Sequence, residues 1–120
     1  MQDYRRLRVW RDACTLVLEI RKVIGEFPSG YASLKWQMVK SVESTAVNIV
    51  EGCGATSQKE FLRFLDIRIK STLELEYQLR LARDYEILSA ARWQATTDKN
   101  ADVRKILCGL RARVLTDDPS

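Results

Sequence analysis

The sequence predicts an all-α protein, an antiparallel up-down-up-down four-helix bundle that forms one domain over residues 1–120. Helix breakers are scarce, with two prolines and five glycines in 120 residues, which favours long helices. Apolar residues recur at spacings of three and four in four segments that short connections separate. Such connections place successive amphipathic helices side by side and antiparallel, with their apolar stripes turned inward. The alternative fold is an array of three helices, with the fourth packed on a neighbouring subunit.

The first two helices are predicted over residues 7–25 and 33–51. The apolar stripe of the first consists of Leu7, Trp10, Cys14, Val17, Ile20 and Ile24. That of the second consists of Leu34, Met38, Val42, Thr45 or Ala46, and Ile49. The segment 27–30 separates the two helices, because Pro28 disfavours helical geometry in the residue before it and Gly30 adds backbone freedom. Gly52 and Gly54 are expected to end the second helix, since glycine tolerates the left-handed conformation at a helix C-cap.

A third helix is predicted over residues 58–84 and a fourth over 90–115, followed by a frayed tail at 116–120. Ser57 and Glu60 have the spacing of a capping box, which starts the third helix. Its apolar face consists of Phe61, Leu65, Ile69, Thr72, Leu75, Leu79 and Ala82. The fourth helix has a stripe of Trp93, Val103, Ile106, Leu107, Leu110 and Val114. Its polar middle, from Thr96 to Asn100, is expected to be its weakest part.

The composition argues against an enzyme. Histidine is absent, so the commonest general base and the commonest transition-metal ligand are both missing. A nuclease or toxin-like activity is therefore disfavoured, and no cofactor or metal is predicted. The three cysteines, Cys14, Cys53 and Cys108, stand far apart, which predicts small buried side chains in a reducing cytoplasm. The segment before Trp10 carries four arginines and no apolar run, so it resembles neither a secretory signal nor a membrane anchor.

Basic residues are the main candidates for binding a ligand. Lys and Arg number 20 against 16 Asp and Glu, which gives a net charge of +4 and a pI near 9.1. The clustered basic residues, which could contact the phosphates of a nucleic acid, are Arg5, Arg6, Arg8 and Arg11 on the first helix and Lys59, Arg63 and Lys70 on the third. Glu60 and Asp66 are interleaved with them, so composition equally allows a solvated charged face. Trp10, Trp36 and Trp93 are predicted to lie in the core or a subunit interface rather than to stack on bases.

Acidic residues are predicted to be structural. Glu74 and Glu76 are two positions apart, and residues at that spacing do not face each other on a helix. With Glu51 as a third neighbour, we expect salt bridges to adjacent helices rather than acid–base catalysis.

Several segments together resemble the four-helix-bundle family encoded in intervening sequences of 23S ribosomal RNA genes, often called the S23 family. The segments, in order, are LRVWRDA at 7–13, FP at 27–28, NIVEG at 48–52, SQKEFLRFL at 57–65 and ELE at 74–76. The resemblance covers about Tyr4 to Leu88. It implies a bundle that assembles into a ring-like homopentamer with a basic surface and no enzymatic activity. It also implies kinship with the accessory proteins of diversity-generating retroelements, which bind nucleic acid and a reverse transcriptase.

The resemblance also marks positions where this chain departs from the family pattern. Ala46 stands where proline is frequent, which predicts a straighter second helix. Arg68 and Lys70 stand where small residues are usual, which argues against a close approach of another helix. The polar residues of the marked segments, Asn48, Glu51 and Glu74, are expected to form a structural hydrogen-bond network. The leading hypothesis is thus an oligomeric nucleic-acid-binding protein, and its rival is a protein–protein scaffold without a nucleic-acid ligand.

Overall fold

The structure, a computed structural model, describes residues 4–52 and 57–116, with side chains described for 8–46 and 57–116. The described residues form four α-helices, which are α1 (Tyr4–Gly25), α2 (Ala32–Gly52), α3 (Gln58–Asp84) and α4 (Ala90–Thr116). These bounds lie within a few residues of the predicted ones, so the all-α four-helix prediction is confirmed. Gly54 and the residues after Thr116 lie outside the described residues. In the described part of the chain, no helix has the uninterrupted apolar length that crossing a bilayer requires.

The helices occupy the four corners of an elongated bundle, 52 Å along its longest axis. Each helix contacts the next along the chain and α4 closes the bundle on α1, whereas the described parts of α1 and α3 lie diagonally opposite, with no Cα atoms within 8 Å of each other. Ion pairs join Asp66 to Arg111 and Glu76 to Arg104 across α3 and α4. Between the first helix and α4 they join Glu19 of α1 to Lys99, and Glu26, the residue just after α1, to Arg92. In both helix pairs the residue number rises along one helix as it falls along the other, so α4 is antiparallel to α1 and to α3.

Serine side chains begin the last two helices. Ser57 has extended backbone geometry, and its hydroxyl accepts a hydrogen bond of 3.1 Å from the Glu60 N–H, as the capping-box spacing predicts. The Ser89 hydroxyl accepts a matching bond of 3.1 Å from the Arg92 N–H at the start of α4. Both serines satisfy a backbone N–H that has no partner within its own helix. The sequence analysis identified the first of these caps and missed the second.

The core consists of one apolar row from each helix. The rows predicted for α2 and α3 are confirmed over their described length, since Leu34, Met38 and Val42 are buried on α2 and Leu65, Leu75 and Leu79 on α3. Ile69 is only partly buried, because it lies at the edge of the α3 row. Burial of these rows is the main term that stabilises the bundle.

The row predicted for α1 is wrong by one position. The residues that fill the core are Val9, Ala13, Leu16, Ile20 and Val23, of which only Ile20 belongs to the predicted stripe. Trp10 is 44% exposed, and Cys14 and Val17 are only partly buried. The helix carries two parallel apolar rows, and the rotation that buries the inner row also turns Glu19 toward basic residues of α4. The interhelical ion pairs therefore accompany the inner row, which hydrophobicity alone does not distinguish from the outer one.

The polar middle of α4 is not a weak exposed segment, because one side of it lies in the core. Thr96 and Asn100 are both fully buried and continue the row of Val103, Leu107 and Leu110. The Asn100 side-chain N–H donates a hydrogen bond of 2.8 Å to the Thr72 carbonyl oxygen on α3. A polar residue can occupy this core position because a facing backbone oxygen accepts its hydrogen bond.

The cysteine prediction is also corrected. Cys108 is exposed and Cys14 half-buried, while Cys53 lies outside the described residues. The core row of α4 passes through Leu107, so the next residue along the helix points away from the core.

A buried arginine lies on α3, one turn before a contact between α2 and α3. Arg68 is 1% exposed, its Nη1 donates to the Phe64 carbonyl oxygen at 2.6 Å, and its guanidinium carbon lies 5.1 Å from the Phe64 ring centroid. The two helices nevertheless approach closely one turn away, where the hydroxyl oxygens of Ser44 and Ser71 are 3.3 Å apart. The small serines permit this approach, which the charge at Arg68 was expected to prevent.

Glu86, just after α3, has a left-handed backbone with a φ of 62°. It follows the C-cap Tyr85, and hydrogen bonds of 2.9 and 3.1 Å from the N–H groups of Glu86 and Ile87 close the helix end. We expect Glu86→Gly to raise the free energy of unfolding by roughly 0.5–1 kcal/mol, because glycine adopts this conformation without a steric cost. The melting temperature should then rise by roughly 2–5 °C.

Glu86→Ala is the matched control for this prediction. It removes the same charge but keeps a Cβ atom, so it should not stabilise the protein. Equal melting temperatures for the Gly and Ala variants would show that the left-handed conformation of residue 86 does not lower the free energy of unfolding.

Candidate nucleic-acid interface

One end of the bundle gathers most of the predicted basic residues. α1 and α3 begin at this end and α4 ends there, and the Gln58 side-chain amide donates to the Val114 carbonyl oxygen across α3 and α4. Arg8 and Arg11 therefore lie at the same end as Lys59 and Arg63, although α1 and α3 occupy opposite corners. We call the described basic side chains at this end the basic end; they are Arg8, Arg11, Lys59, Arg63, Arg111 and Arg113.

Several of these cations carry uncompensated charge. Arg8 pairs weakly with Asp12 at 3.8 Å, and both side chains are substantially exposed. Within the described residues Arg11, Lys59 and Arg63 form no ion pair, and all three are exposed. An exposed cation without a carboxylate partner retains its full attraction for an anion.

Two arginines of the basic end were missed by the sequence analysis. Arg111 and Arg113 lie in the last turns of α4, far from the other clusters in sequence. The Arg111 Nε is 2.6 Å from an Asp66 carboxylate oxygen, so α3 neutralises part of this charge. Because helix four of an up-down bundle must end beside the starts of helices one and three, the topology could have revealed both arginines.

The remaining predicted contacts are not brought to the basic end. Lys70 is exposed but lies two turns further along α3 than Arg63, toward the middle of the bundle. The side chains of Arg5 and Arg6 lie outside the described residues, although their backbone belongs to α1.

Of the three side chains in the predicted polar network, the structure describes only that of Glu74. Glu74 is exposed on α3, whereas the side chains of Asn48 and Glu51 lie outside the described residues. Glu76, two positions from Glu74, forms an ion pair of 2.7 Å with Arg104 of α4, as expected for a structural carboxylate. Among the described residues, no group of three Asp, Glu or Cys side chains is placed to hold a metal ion.

A cleft of about 560 Å³ opens beside the start of α3. Its described lining consists of Ser57, Lys59, Glu60, Arg63, Phe64 and Ile67. Basic and apolar side chains therefore share its walls. A second cleft of about 400 Å³, at the opposite end of the bundle, is lined by Tyr31, Gln37, Leu81 and Tyr85, with no charged side chain in its described lining.

Comparisons with known proteins identify the family. A crystal structure at 1.70 Å of a protein of unknown function from the S23 ribosomal protein family of Bacteroides thetaiotaomicron VPI-5482 has a TM-score of 0.81 to this chain. The two share 21% sequence identity, and the match covers 90% of this chain and 98% of that one, which supports the fold. No protein with a curated description matches the sequence. The model of the 23S rRNA-intervening sequence protein family matches residues 5–109. The chain therefore belongs to the 23S rRNA-intervening sequence protein family.

Proposed function

We propose that this protein is a non-enzymatic, oligomeric nucleic-acid-binding protein whose basic end contacts phosphates of RNA or DNA. The observation that carries the proposal is the exposure of Arg11, Lys59 and Arg63 at one end of the bundle without ion-pair partners among the described residues. Phosphate contacts of this kind are independent of sequence and sensitive to salt. The description of the family, which refers to an rRNA intervening sequence, agrees with a nucleic-acid ligand.

Exposed apolar residues support the oligomeric part of the proposal. Leu18, Trp36 and Tyr77 are 65%, 64% and 63% exposed on α1, α2 and α3. Large apolar side chains that remain outside the core are frequent at subunit interfaces. The family resemblance sets the expected number of copies at five, in a ring, and makes a reverse transcriptase a candidate partner in the cytoplasm.

The same side chains also favour the alternative, a scaffold that binds only other proteins. In that case the basic end keeps the protein soluble and contacts no phosphate. Retention of nucleic acid at low salt distinguishes the two functions, because a protein that acts only as a scaffold binds neither RNA nor DNA.

Reversing two charges at the basic end tests the proposal. We expect Arg8→Glu with Arg11→Glu to weaken binding of a fluorescent RNA or DNA strand by roughly tenfold or more at low salt. The slope of log K against log salt concentration should become shallower by about two, since each phosphate contact contributes about one unit. Fluorescence anisotropy at several salt concentrations measures both quantities.

A matched control uses cations far from the basic end. Lys22, near the end of α1, is exposed, Lys35, near the start of α2, is partly exposed, and neither forms an ion pair among the described residues. The double variant Lys22→Glu with Lys35→Glu changes the net charge by the same amount, and it should weaken binding much less. If both double variants weaken binding equally, overall charge and not the basic end governs affinity.

A further inference from the structure

The described lining of the cleft, all of it on α3 and its N-cap, has an apolar part and a basic part. Phe64 is partly exposed and Ile67 is 42% exposed, so both present apolar surface to the cleft. Lys59 and Arg63 lie one turn apart on the same helix and contribute the basic part. The guanidinium carbon of the buried Arg68 lies 5.1 Å from the Phe64 ring centroid.

The volume of the cleft suits a small flat group rather than a helix. Ligand pockets in proteins measure roughly 300–1,000 Å³, and the 560 Å³ of this cleft falls within that range. A nucleobase has two apolar faces and is attached to a charged backbone, so it matches an apolar surface beside a basic one. Base stacking on an aromatic ring tolerates any base sequence, because every base has a π-face.

Charge favours a phosphate-bearing ligand over an apolar peptide. Lys59 and Arg63 form no ion pair within the described residues, whereas the lining contains one carboxylate, that of Glu60. The lining of the cleft therefore carries a net positive charge. Leu73, 49% exposed on the same helix, has no comparable basic pair beside it in a cleft.

We propose that this cleft binds one unpaired nucleotide of a single-stranded nucleic acid, with the base against Phe64 and Ile67 and the flanking phosphates at Lys59 and Arg63. The inference rests on the proposed nucleic-acid function and adds a preference for single strands. In a duplex the faces of each base are covered by stacked neighbours, so a duplex offers the cleft only phosphates. The basic end contacts both kinds of ligand, whereas the cleft discriminates between them.

Three probes of equal length test the preference by fluorescence anisotropy at low salt. They are a single-stranded oligonucleotide, a duplex of the same sequence, and a fully abasic strand that keeps every phosphate. We expect the single strand to bind the protein roughly tenfold more tightly than the abasic strand, the range expected for stacking one base. Equal affinities for all three probes would overturn the inference and leave the proposed function intact. No binding of any probe would overturn both.

Variants of the lining residues test whether the preference for single strands comes from the cleft. Phe64→Leu, which removes the ring, and Ile67→Ala should each weaken binding of the single strand severalfold and leave the abasic strand unaffected. Phe64→Tyr keeps the ring and should retain the preference. Leu73→Ala, on the same helix outside the cleft, is the matched control and should change neither affinity. Circular dichroism and melting temperature confirm that each variant is folded.

Lys59→Gln with Arg63→Gln should weaken binding of both the normal and the abasic strand, because both carry the phosphates. Lys22→Gln with Lys35→Gln is the charge-matched control for this pair. Light scattering decides whether a second copy of the chain occupies the cleft instead. A smaller assembly mass for Ile67→Ala, with unchanged affinity for the single strand, would overturn the inference in favour of a subunit contact.

Discussion

Asn100→Asp is expected to destabilise the protein by roughly 3–5 kcal/mol at neutral pH, a large part of the total for a domain of this size. Asn100 is fully buried, and its N–H donates to the Thr72 carbonyl oxygen. A carboxylate at this position would place a negative charge beside that oxygen. The Asn100 Oδ1 accepts no hydrogen bond from the described residues, so no existing hydrogen bond would stabilise the charge. Chemical denaturation at pH 7 measures the loss.

The loss should depend on pH in a defined direction. Burial disfavours the charged form, so the pKa of the introduced carboxyl is raised in the folded state above its ordinary value of about 3.9. Below about pH 3.9 the group is neutral in both states, and its O–H can donate to the Thr72 oxygen. The destabilisation is then small, and it grows as the pH rises from there through the folded-state pKa. The difference in unfolding free energy between variant and parent should therefore be smaller at pH 4 than at pH 7.

Two controls separate charge burial from loss of the hydrogen bond. Asn100→Leu introduces no charge and has a similar volume, so it should cost less than about 1.5 kcal/mol and show no pH dependence of this kind. Gln37→Glu makes the same chemical change at an exposed position of α2 and should be nearly neutral. An Asp variant as stable as its parent at pH 7 would mean that water reaches Asn100.

The buried Asn100 also illustrates a limit of the sequence analysis. Apolar periodicity correctly identified four helices and the core rows of α2 and α3, because those rows are continuous. In α4 two core positions are polar, and periodicity counted them as an interruption. Their burial depends on the Thr72 carbonyl oxygen of another helix, which local sequence does not reveal. The core positions in the N-terminal half of α4 could therefore not be predicted without knowing that α3 packs against it.

The orientation of α1 was unpredictable for a related reason. The rows that contain Trp10 and Leu16 have the same helical spacing, so hydrophobicity gives no unique inward face. The structure favours the row whose rotation brings Glu19 to Arg92 and Lys99, at 3.4 and 3.3 Å. These partners of Glu19 are about seventy to eighty residues away, so the local periodicity of α1 contains no information about them.

The candidate site was predictable in composition but not in arrangement. The sequence identified Arg8, Arg11, Lys59 and Arg63 as clusters on two helices, and the topology places both clusters at one end. It could not identify the cleft, because the apolar exposure of Phe64 and Ile67 depends on how α3 is rotated in the bundle. In the sequence, nothing distinguishes Phe64 and Ile67 from other apolar residues of α3.

Nucleic-acid affinity is expected to fall by roughly 100-fold when the protein is made monomeric with its basic residues intact. The prediction rests on the proposed oligomer. One chain carries a net charge of only +4, and salt screens each exposed contact within about 8 Å at physiological ionic strength. A closed assembly repeats the basic end once per subunit, so a strand held by one copy meets the next at a high effective concentration. Affinity then increases without any new type of contact.

Neutral substitutions at exposed apolar residues provide the monomer. Leu18→Asn, Trp36→Gln and Tyr77→Ser remove apolar surface from side chains that are each more than 60% exposed, so the fold and the net charge should be preserved. Light scattering should report an assembly for the parent, a monomer for the combined variant, and an unchanged assembly for the charge reversal at Arg8 and Arg11. The decisive measurement compares affinities for a long strand and for one too short to span two copies. The combined variant should bind the long strand about 100-fold more weakly than the parent does, and the short strand about equally. If the folded monomer bound the long strand as tightly as the assembly, multivalency would be the wrong mechanism, and one bundle would have to hold the complete binding site.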